Sequence, residues 1–239
     1  MEFQPFVFET LTTKSMHFGT NGCQSEMDLR DPLRLMLEYT ELMMGFLVFK
    51  PRPESIAMIG LGGGSIAKYC YWNLPRTLFH AIEINPQVIA LRDSFRVPKD
   101  APEFQVILGD GAAFVSDSPR CYDVLIVDGF DDAGLVPSLA TDNFYADCFR
   151  ALNPGGILVA NFHQGPDYTS ACQRIQKAFE GHALKVPERE GANSIVFASR
   201  GRPLNPSDAN AFRRPNGFNV ECWQGLQSTF DYIRSVHAG

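Results

Sequence analysis

Short apolar runs alternate with helix-compatible segments of about 10–15 residues through the middle of this chain. Because the runs are rich in Val and Ile on both faces, they predict strands that are buried on both sides of a parallel sheet. The alternation therefore predicts an α/β fold, a doubly wound and mostly parallel sheet with helices on both faces. The runs read "IAMIG", "LFHAIEI", "FQVILGD", "DVLIVDGF" and "GILVANF", and "NSIVFAS" at 193–199 is predicted to form a later, edge strand.

The N-terminal part of the chain follows a different pattern. Apolar and polar positions alternate in "FVFETLTTKSMHF", and Gly-Thr-Asn-Gly at 19–22 has turn chemistry, so residues 3–27 are predicted to form a β-hairpin region. Asp31 and Pro32 then predict the start of a helix whose apolar spacing continues to Lys50. We expect a short β extension over residues 1–30 and a Rossmann-like domain over residues 31–239, with a helix near its end around 223–236.

The charge balance and the cysteines exclude several classes of function. The 21 Lys and Arg residues against 27 Asp and Glu residues give a net charge of −6, which argues against a nucleic-acid partner. No apolar run approaches the roughly 18 residues of a membrane span. The six cysteines form no Cys-x-x-Cys pair and have no His at metal spacing, so we expect no metal site and reduced thiols. With no basic N-terminal region of a signal peptide, a cytoplasmic location is expected.

A glycine-rich segment follows the first apolar run of the sheet. Gly60, Gly62, Gly63 and Gly64 supply four of five consecutive residues, which costs backbone entropy that a simple connector need not incur. In an open parallel sheet the first strand-to-helix turn lies at the edge where ligands bind. Gly60, Gly62 and Gly64 are therefore predicted to bind a ligand through their backbone.

Two acids follow later strands at the same edge. Glu83 ends the next strand about 20 residues after the glycines, where a carboxylate accepts hydrogen bonds from ribose hydroxyls. Asp110 ends a further strand between Gly109 and Gly111, and an acid at that place is suited to an adenine amino group. We predict that Glu83, Asp110 and Gly111 belong to a nucleoside site.

Together with "ALNPGGILV" at 151–159, read as a helix stopped by Pro-Gly-Gly before a buried strand, these motifs resemble the class I fold of enzymes that use S-adenosylmethionine or its relatives. The resemblance implies a Rossmann-like sheet of methyltransferase type, and it implies that the glycines admit an adenosyl sulfonium compound.

The strand end "YDVLIVDGFDDAG" narrows the resemblance to the spermidine synthase family of aminopropyltransferases, in which the corresponding segment reads Asp-Ser-Ser-Asp-Pro. The resemblance implies that Asp128 is the catalytic aspartate and Asp131 the second, amine-binding aspartate. In the upstream segment "CQSEMDLRDPLRLMLEYTELMM", it implies that Gln24 contacts the nucleoside and that Tyr39 is substrate-binding. The match extends over residues 14–160, about two thirds of the chain.

The implied reaction moves an aminopropyl group from decarboxylated S-adenosylmethionine to a polyamine or related amine and releases methylthioadenosine, with no prosthetic group. An amine that is mostly protonated attacks a carbon beside the sulfonium, so carboxylates must hold cationic ends and take one proton. The family also implies a homodimer. The apolar hairpin strands and the Met-rich helix 32–49 are expected to bury poorly in a monomer.

Three positions depart from the family pattern and keep alternatives open. Gly63 stands where the family loop has an Asp that holds the aminopropyl amine, Asp132 stands where it has a Pro, and "EREGANS" lacks the Tyr that lines the amine site. The alternatives are a methyltransferase that uses S-adenosylmethionine itself and a non-catalytic nucleoside-binding homologue.

Overall fold

The computed structural model describes residues 4–18, 23–117, 121–131, 134–165, 167–206 and 213–238. The strands are β1 (Phe6–Glu9), β2 (Thr13–His17), β3 (Ser25–Asp28), β4 (Ser55–Ile59), β5 (Leu78–Glu83), β6 (Phe104–Leu108), β7 (Tyr122–Val127), β8 (Phe130–Asp131), β9 (Gly134–Leu135), β10 (Leu152–His163), β11 (Ala183–Pro187) and β12 (Asn193–Ser199). The helices are α1 (Glu38–Met43), α2 (Ser65–Asn73), α3 (Pro86–Ala90), α4 (Gly111–Asp117), α5 (Asp142–Ala151), α6 (Tyr168–Ala178), α7 (Val220–Gly225) and α8 (Gln227–Ala238), and 3₁₀ helices cover Met44–Val48 and Pro137–Leu139.

The central sheet of the described chain has seven strands in the order β11-β12-β10-β7-β4-β5-β6. The pairs from β10 to β6 are parallel, whereas β12 and β11 are antiparallel to their neighbours. The chain runs outward from β4 to β6 and then returns to the other side of β4 with β7. The predicted doubly wound, mostly parallel α/β fold is confirmed, and its topological switch point lies between β4 and β7.

Both faces of the sheet are apolar, and successive side chains alternate between two core clusters. Helices α1, α2 and α8 cover the first face, and α5 and α6 cover the second. The first face carries Ile56, Met58, Phe79, Ala81, Val124, Ile126, Ile157 and Val159. The second face carries Ala57, Ile59, Leu125, Val127, Leu158 and Ala160.

The far edge of the sheet differs from the prediction. Segment 193–199 is β12, which lies between β10 and β11, so its assignment as an edge strand is wrong. The edge strand is β11, whose sequence "ALKVP" has only one fully buried side chain and gives a weak apolar signal. Helix α5 also ends at Ala151, and β10 already includes the Pro-Gly-Gly segment, with a register irregularity between Leu152 and Ile157.

The N-terminal region forms the antiparallel sheet β1-β2-β3, in which β2 and β3 pair as the predicted hairpin and β1 adds a third strand. The first turn was missed because it contains no glycine. Its chemistry comes from Thr10, whose Oγ1 accepts the N–H groups of Thr12 (3.2 Å) and Thr13 (2.9 Å). The predicted turn at 19–22 lies outside the described residues. The division between residues 1–30 and 31–239 stays a prediction.

The predicted start of the first helix is wrong, because α1 begins at Glu38 and not at Pro32. The Asp28 carboxylate accepts the N–H groups of Arg30 (2.8 Å) and Asp31 (3.2 Å), and this local turn replaces the first helical turns.

The expectation of a poorly buried Met-rich helix is also wrong, since Met43 and Met44 are fully buried. Near the end of the chain, the single helix predicted over 223–236 is two helices, α7 and α8.

A search of the described residues for membrane spans finds no helix with the length and apolarity that crossing a bilayer requires.

Candidate active site

On the first face of the sheet, the position that follows the buried apolar residues of a strand carries a polar side chain in three of the parallel strands. Glu83 ends the row of β5, Asp128 follows the row of β7, and Asn161 follows the row of β10. On β4, between the first two, the corresponding position is Gly60, which has no side chain. The carboxyl ends of four neighbouring strands thus place two carboxylates and an amide at the topological switch point.

The glycine loop is shaped by backbone conformations that favour glycine. Gly60, Gly62 and Gly64 have φ values of +89°, +53° and +68°, in the left-handed region. A Cβ on Gly60 would lie 2.2 Å from the carbonyl oxygen of Asp128. The loop therefore passes directly against the end of β7, and Gly64 starts α2. That these glycines bind a ligand through their backbone stays a prediction.

Glu83 is buried, and its carboxylate is fixed by two backbone donors. Oε2 accepts the N–H of Leu61 in the glycine loop (2.9 Å), and Oε1 accepts the N–H of Asn85 (2.9 Å). An ionised carboxylate has about four acceptor sites, so both oxygens keep capacity for further donors. This arrangement suits a pair of ribose hydroxyls.

Asp110 and Gly111 lie at the next strand end, beyond β6. The Asp110 side chain is exposed, and its Oδ1 accepts the N–H of Ala113 (2.9 Å) at the start of α4. A Cβ on Gly111 would lie 2.3 Å from Cγ2 of Ile59, so the helix start packs closely on β4. The loop, Glu83 and Asp110 therefore follow one another along the same edge of the sheet.

Two apolar side chains that the sequence pattern does not single out lie beside these acids. Ile84, directly after Glu83, is 63% exposed, and Leu108, two residues before Asp110, is 59% exposed. Large apolar side chains exposed at adjacent strand ends are typical of ligand sites, where a flat ring covers them. The signal in the sequence is weak, because each residue reads as the last apolar position of its strand.

Asp128 has a clearly raised proton affinity. Burial raises the pKa of Asp128 to about 6, hydrogen bonds from Asn161 and Tyr39 act in the opposite direction, and the nearby Glu83 raises it further. The bond from Asn161 Nδ2 to Asp128 Oδ1 measures 2.9 Å. A carboxylate that titrates near neutral pH is suited to accept a proton from a substrate.

Tyr39 and Gln24 reach the same place from the N-terminal part of the chain. Burial raises the pKa of Tyr39 well above its ordinary value, so its hydroxyl stays a donor. That hydroxyl has one hydrogen and two acceptors for it, the carbonyl oxygen of Gln24 at 3.3 Å and the carboxylate of Asp128. The backbone N–H of Gln24 is held by Met16 at 2.9 Å. The structure thus brings Gln24, Tyr39 and Asp128 together, and the roles of these residues stay a prediction.

The second predicted aspartate has no described side chain. The backbone of Asp131 pairs with Gly134 in the short ribbon β8-β9, whereas its carboxylate and all of Asp132 lie outside the described part of the structure. The role of Asp131 stays a prediction.

Gly63 has a steric reason to be glycine. A Cβ at this position would lie 2.5 Å from Oγ of Ser25 and 2.9 Å from Cδ1 of Phe95. Ser25 belongs to β3, so the small N-terminal sheet packs onto the loop at the point where a larger side chain would begin.

Groups of three or more His, Cys, Asp or Glu side chains that are arranged to hold a metal ion do not occur among the described residues.

Comparison with known proteins gives a consistent assignment. The family model of the spermine/spermidine synthase domain matches residues 36–184. A polyamine aminopropyltransferase of Chromobacterium violaceum is 41% identical over 192 residues, which cover 80% of this chain and 74% of the relative. Polyamine aminopropyltransferases of Neisseria meningitidis serogroups A and B are 38% identical over 193 residues, which cover 80% of this chain and 73% of each relative.

Solved structures show the same fold. A probable spermidine synthase from Corynebacterium glutamicum superposes with a TM-score of 0.74 at 18% identity, covering 98% of this chain and 90% of the other. A spermidine synthase in complex with the transition state analogue AdoDATO has a TM-score of 0.61 at 20% identity, over 94% and 80% of the two chains. Human methyltransferase-like protein 13 in complex with SAH has a TM-score of 0.63 at 19% identity, over 82% and 93%. The predicted methyltransferase-type sheet is confirmed.

Proposed function

The chain belongs to the spermine/spermidine synthase family, and we propose that it uses Asp128 to activate an amine for attack on decarboxylated S-adenosylmethionine. Its activity is aminopropyl transfer, as in the polyamine aminopropyltransferases that are 38–41% identical over 80% of the chain. The observation that carries the proposal is the place of Asp128, a carboxylate with a pKa raised to about 6 beside the glycine loop and Glu83.

The proposed reaction is a displacement at carbon. Asp128 takes one proton from the ammonium end of the acceptor, and the free nitrogen attacks the propyl carbon next to the sulfonium. The new C–N bond forms as the C–S bond breaks, the sulfur keeps the electron pair, and methylthioadenosine leaves as a neutral thioether. Because the sulfonium is already a good leaving group, orientation supplies much of the acceleration.

The nucleoside half of the site is proposed to lie along the carboxyl ends of β4, β5 and β6. Glu83 accepts hydrogen bonds from the ribose hydroxyls, Asp110 accepts one from the adenine amino group, and Ile84 and Leu108 cover the ring faces. The loop glycines and Gly111 admit the donor close to the backbone, and Gln24, directly before β3, contacts it. These roles are supported by the fixed Glu83 carboxylate and by the exposed apolar side chains beside it.

The amine half of the site is proposed to centre on Asp128. Tyr39 donates to the Asp128 carboxylate and lines the space for the acceptor, and Asp131 binds a cationic end of the acceptor. The protonated state of Tyr39 supports its role as a donor.

A prediction follows for Glu83. The change Glu83→Gln keeps the shape but places an amide donor against a backbone N–H of Leu61 or Asn85, so methylthioadenosine affinity should fall by about 1–3 kcal/mol. Isothermal calorimetry with methylthioadenosine and its 2′-deoxy analogue measures this. The parent should prefer the ribose form, and the variant should lose much of that preference. The exposed Glu54, changed to Gln, is the control. Equal affinities in the parent and in Glu83→Gln would refute the ribose assignment.

The protein is further proposed to be a homodimer that contacts through β1. Phe6 and Phe8 on this strand are 49% and 61% exposed, which is unusual for a monomer surface. Sedimentation velocity at micromolar concentration should show a dimer, and Phe8→Lys should shift it toward monomer. Trp72→Lys, at an exposed aromatic on α2, is the control and should not change the distribution. A clean monomer of the parent protein would contradict the proposal.

The proposed location and the proposed partners rest on the cysteines and on the net charge of the chain. Free cysteines, of which Cys70 and Cys148 are buried, support a reducing cytoplasm. The net charge of −6 supports small cationic substrates over nucleic acid.

The acceptor is tested by direct comparison. Decarboxylated S-adenosylmethionine is incubated with putrescine, cadaverine or spermidine, and the products are separated by chromatography with mass detection. We expect an aminopropylated product with at least one diamine. Absence of any such product, with methylation of an acceptor when S-adenosylmethionine is supplied, would favour the methyltransferase alternative.

A further inference from the structure

Asn161 is a buried amide in a strand whose preceding positions on the same face are apolar. Ile157 and Val159 precede it on the same face of β10, and Ile195 lies opposite it on β12. The side chain is only 5% exposed. An amide at such a position lowers stability unless both of its ends are hydrogen-bonded. The presence of Asn161 therefore calls for a reason other than packing.

Only one end of this amide has a partner in the described structure. Nδ2 donates to Asp128 Oδ1 at 2.9 Å, while Oδ1 of Asn161 is buried and accepts no hydrogen bond from any described residue. Buried side-chain acceptors without a partner are uncommon in folded proteins, and they concentrate at functional sites.

The opposite end of the same two strands provides a comparison. There, Asn153 Nδ2 donates to Asp123 Oδ1 at 3.1 Å, again from β10 to β7. Asp123 also accepts the N–H of Glu54 (2.7 Å) and pairs with Lys50 (3.1 Å), and these bonds hold the pKa of Asp123 below its ordinary value against the effect of burial. Asp123 is thus kept as an anion, whereas the bonds recorded to Asp128 come from the neutral donors Asn161 and Tyr39.

We infer that Asn161 is a positioning residue that hydrogen-bonds Asp128 in both of its protonation states, an inference that rests on the proposed function of Asp128. While Asp128 is ionised, Nδ2 of the amide donates to Oδ1 and leaves Oδ2 for the substrate amine. When Asp128 has taken the proton on Oδ2, a half-turn of the carboxyl group brings the O–H to Asn161, and a half-turn of the amide about its Cβ–Cγ bond lets the unpaired Oδ1 accept it. An amide can do both because it carries a donor and an acceptor on one planar group.

The other groups that face Asp128 stay the same in the test variants. Among the described residues, Tyr39 reaches Asp128 from α1 and Glu83 from β5, and Cys23 and Glu188 act on Tyr39. A shift in the pKa of Asp128 when Asn161 is changed therefore reports the effect of the amide itself.

The test compares Asn161→Leu, Asn161→Asp and the matched control Asn153→Leu. Initial rates with decarboxylated S-adenosylmethionine and putrescine give kcat/KM against pH, whose acidic limb reports the base of the free enzyme. The hydrogen bond from the amide to the ionised carboxylate is charge-assisted and therefore stronger than the bond to the neutral acid. Without the amide, the limb should move to higher pH by about one unit in Asn161→Leu and further in Asn161→Asp, which adds a like charge. Methylthioadenosine affinity should stay within about twofold. Asn153→Leu should lower thermal stability and leave the limb in place.

A second measurement does not depend on turnover. The ¹³C resonance of the Asp128 carboxyl, assigned by its loss in Asp128→Asn, is titrated in the free parent and in Asn161→Asp, which keeps the side-chain size if the Leu variant fails to fold. A higher titration midpoint in the variant supports the inference, and an unchanged midpoint overturns it. If the midpoint moves but the parent forms no aminopropyl product, the proposed function fails while the coupling of Asn161 to Asp128 stands.

Discussion

Replacing Asp128 by Asn is expected to slow aminopropyl transfer by a factor on the order of 10²–10⁴, the usual worth of a positioned general base. The variant keeps the shape of the side chain, and its amide oxygen can still accept the bond from Asn161, but it cannot take a proton from the amine. The measurement is the initial rate of methylthioadenosine formation under saturating donor. Calorimetry should show little change in methylthioadenosine affinity, because Glu83 and the glycine loop form a separate half of the site.

The same variant should not be less stable than the parent at pH 7. Burial raises the pKa of Asp128 from 3.8 to about 6 in the folded state, so the folded protein binds more protons than the unfolded chain between these values. The contribution of Asp128 to stability is thus fully present below pH 3.8 and is lost as the pH rises through about 6. Asn removes the ionised state, and a gain of about 1–3 kcal/mol at pH 7 is expected in urea unfolding. A slow variant that is also less stable would indicate misfolding instead of loss of the base.

Gly60→Ala is expected to lower the free energy of unfolding by about 3 kcal/mol or more, the range of severe core defects. The new Cβ would lie 2.2 Å from the carbonyl oxygen of Asp128. Gly60 and Asp128 directly follow Ile59 and Val127, the last paired residues of β4 and β7, so the ends of these two strands must separate. The φ of +89° adds strain for any residue with a side chain.

The control for this prediction is Gly181→Ala. Gly181 has a φ of +87°, but a Cβ there would meet nothing within 4 Å, so this variant reports backbone strain alone, about 1 kcal/mol. Urea unfolding of both variants, with methylthioadenosine affinity measured on each, separates the two effects. Equal losses of unfolding free energy in the two variants would show that the contact between the loop and the end of β7 adds nothing to the destabilisation.

The parallel core of the sheet could be predicted from the sequence because burial on both faces leaves continuous apolar runs. Strands β4 to β7 and β10 correspond to such runs, and the glycines and Glu83 follow from the geometry of the first two strand ends. Strand β11 escaped prediction because one face of it meets solvent and its segment includes Lys185 and Pro187. The start of α1 could not be predicted because Asp31-Pro32 has the residue types of a helix start. The chain instead forms a local turn there, whose N–H groups the Asp28 carboxylate accepts.

The contacts among site residues could not be predicted, because they join segments far apart in the chain. Nothing in the spacing of Tyr39 and Asp128 indicates their hydrogen bond, and Asn161 reads as a single polar residue in an apolar strand. The close packing of Ser25 against Gly63 likewise depends on how the small sheet docks on the loop. The sequence carries residue types and local geometry, whereas tertiary packing determines which groups meet.

The most direct test of the account is the fate of the propyl carbons of the donor. Decarboxylated S-adenosylmethionine labelled with ¹³C in its aminopropyl group is incubated with the purified protein and putrescine, beside Asp128→Asn, and the products are followed by mass spectrometry. The account predicts labelled aminopropyl-putrescine and unlabelled methylthioadenosine in equal amounts, and a rate strongly reduced in the variant. A bound donor that yields neither product in the parent, or yields both at the same rate in the variant, would contradict it.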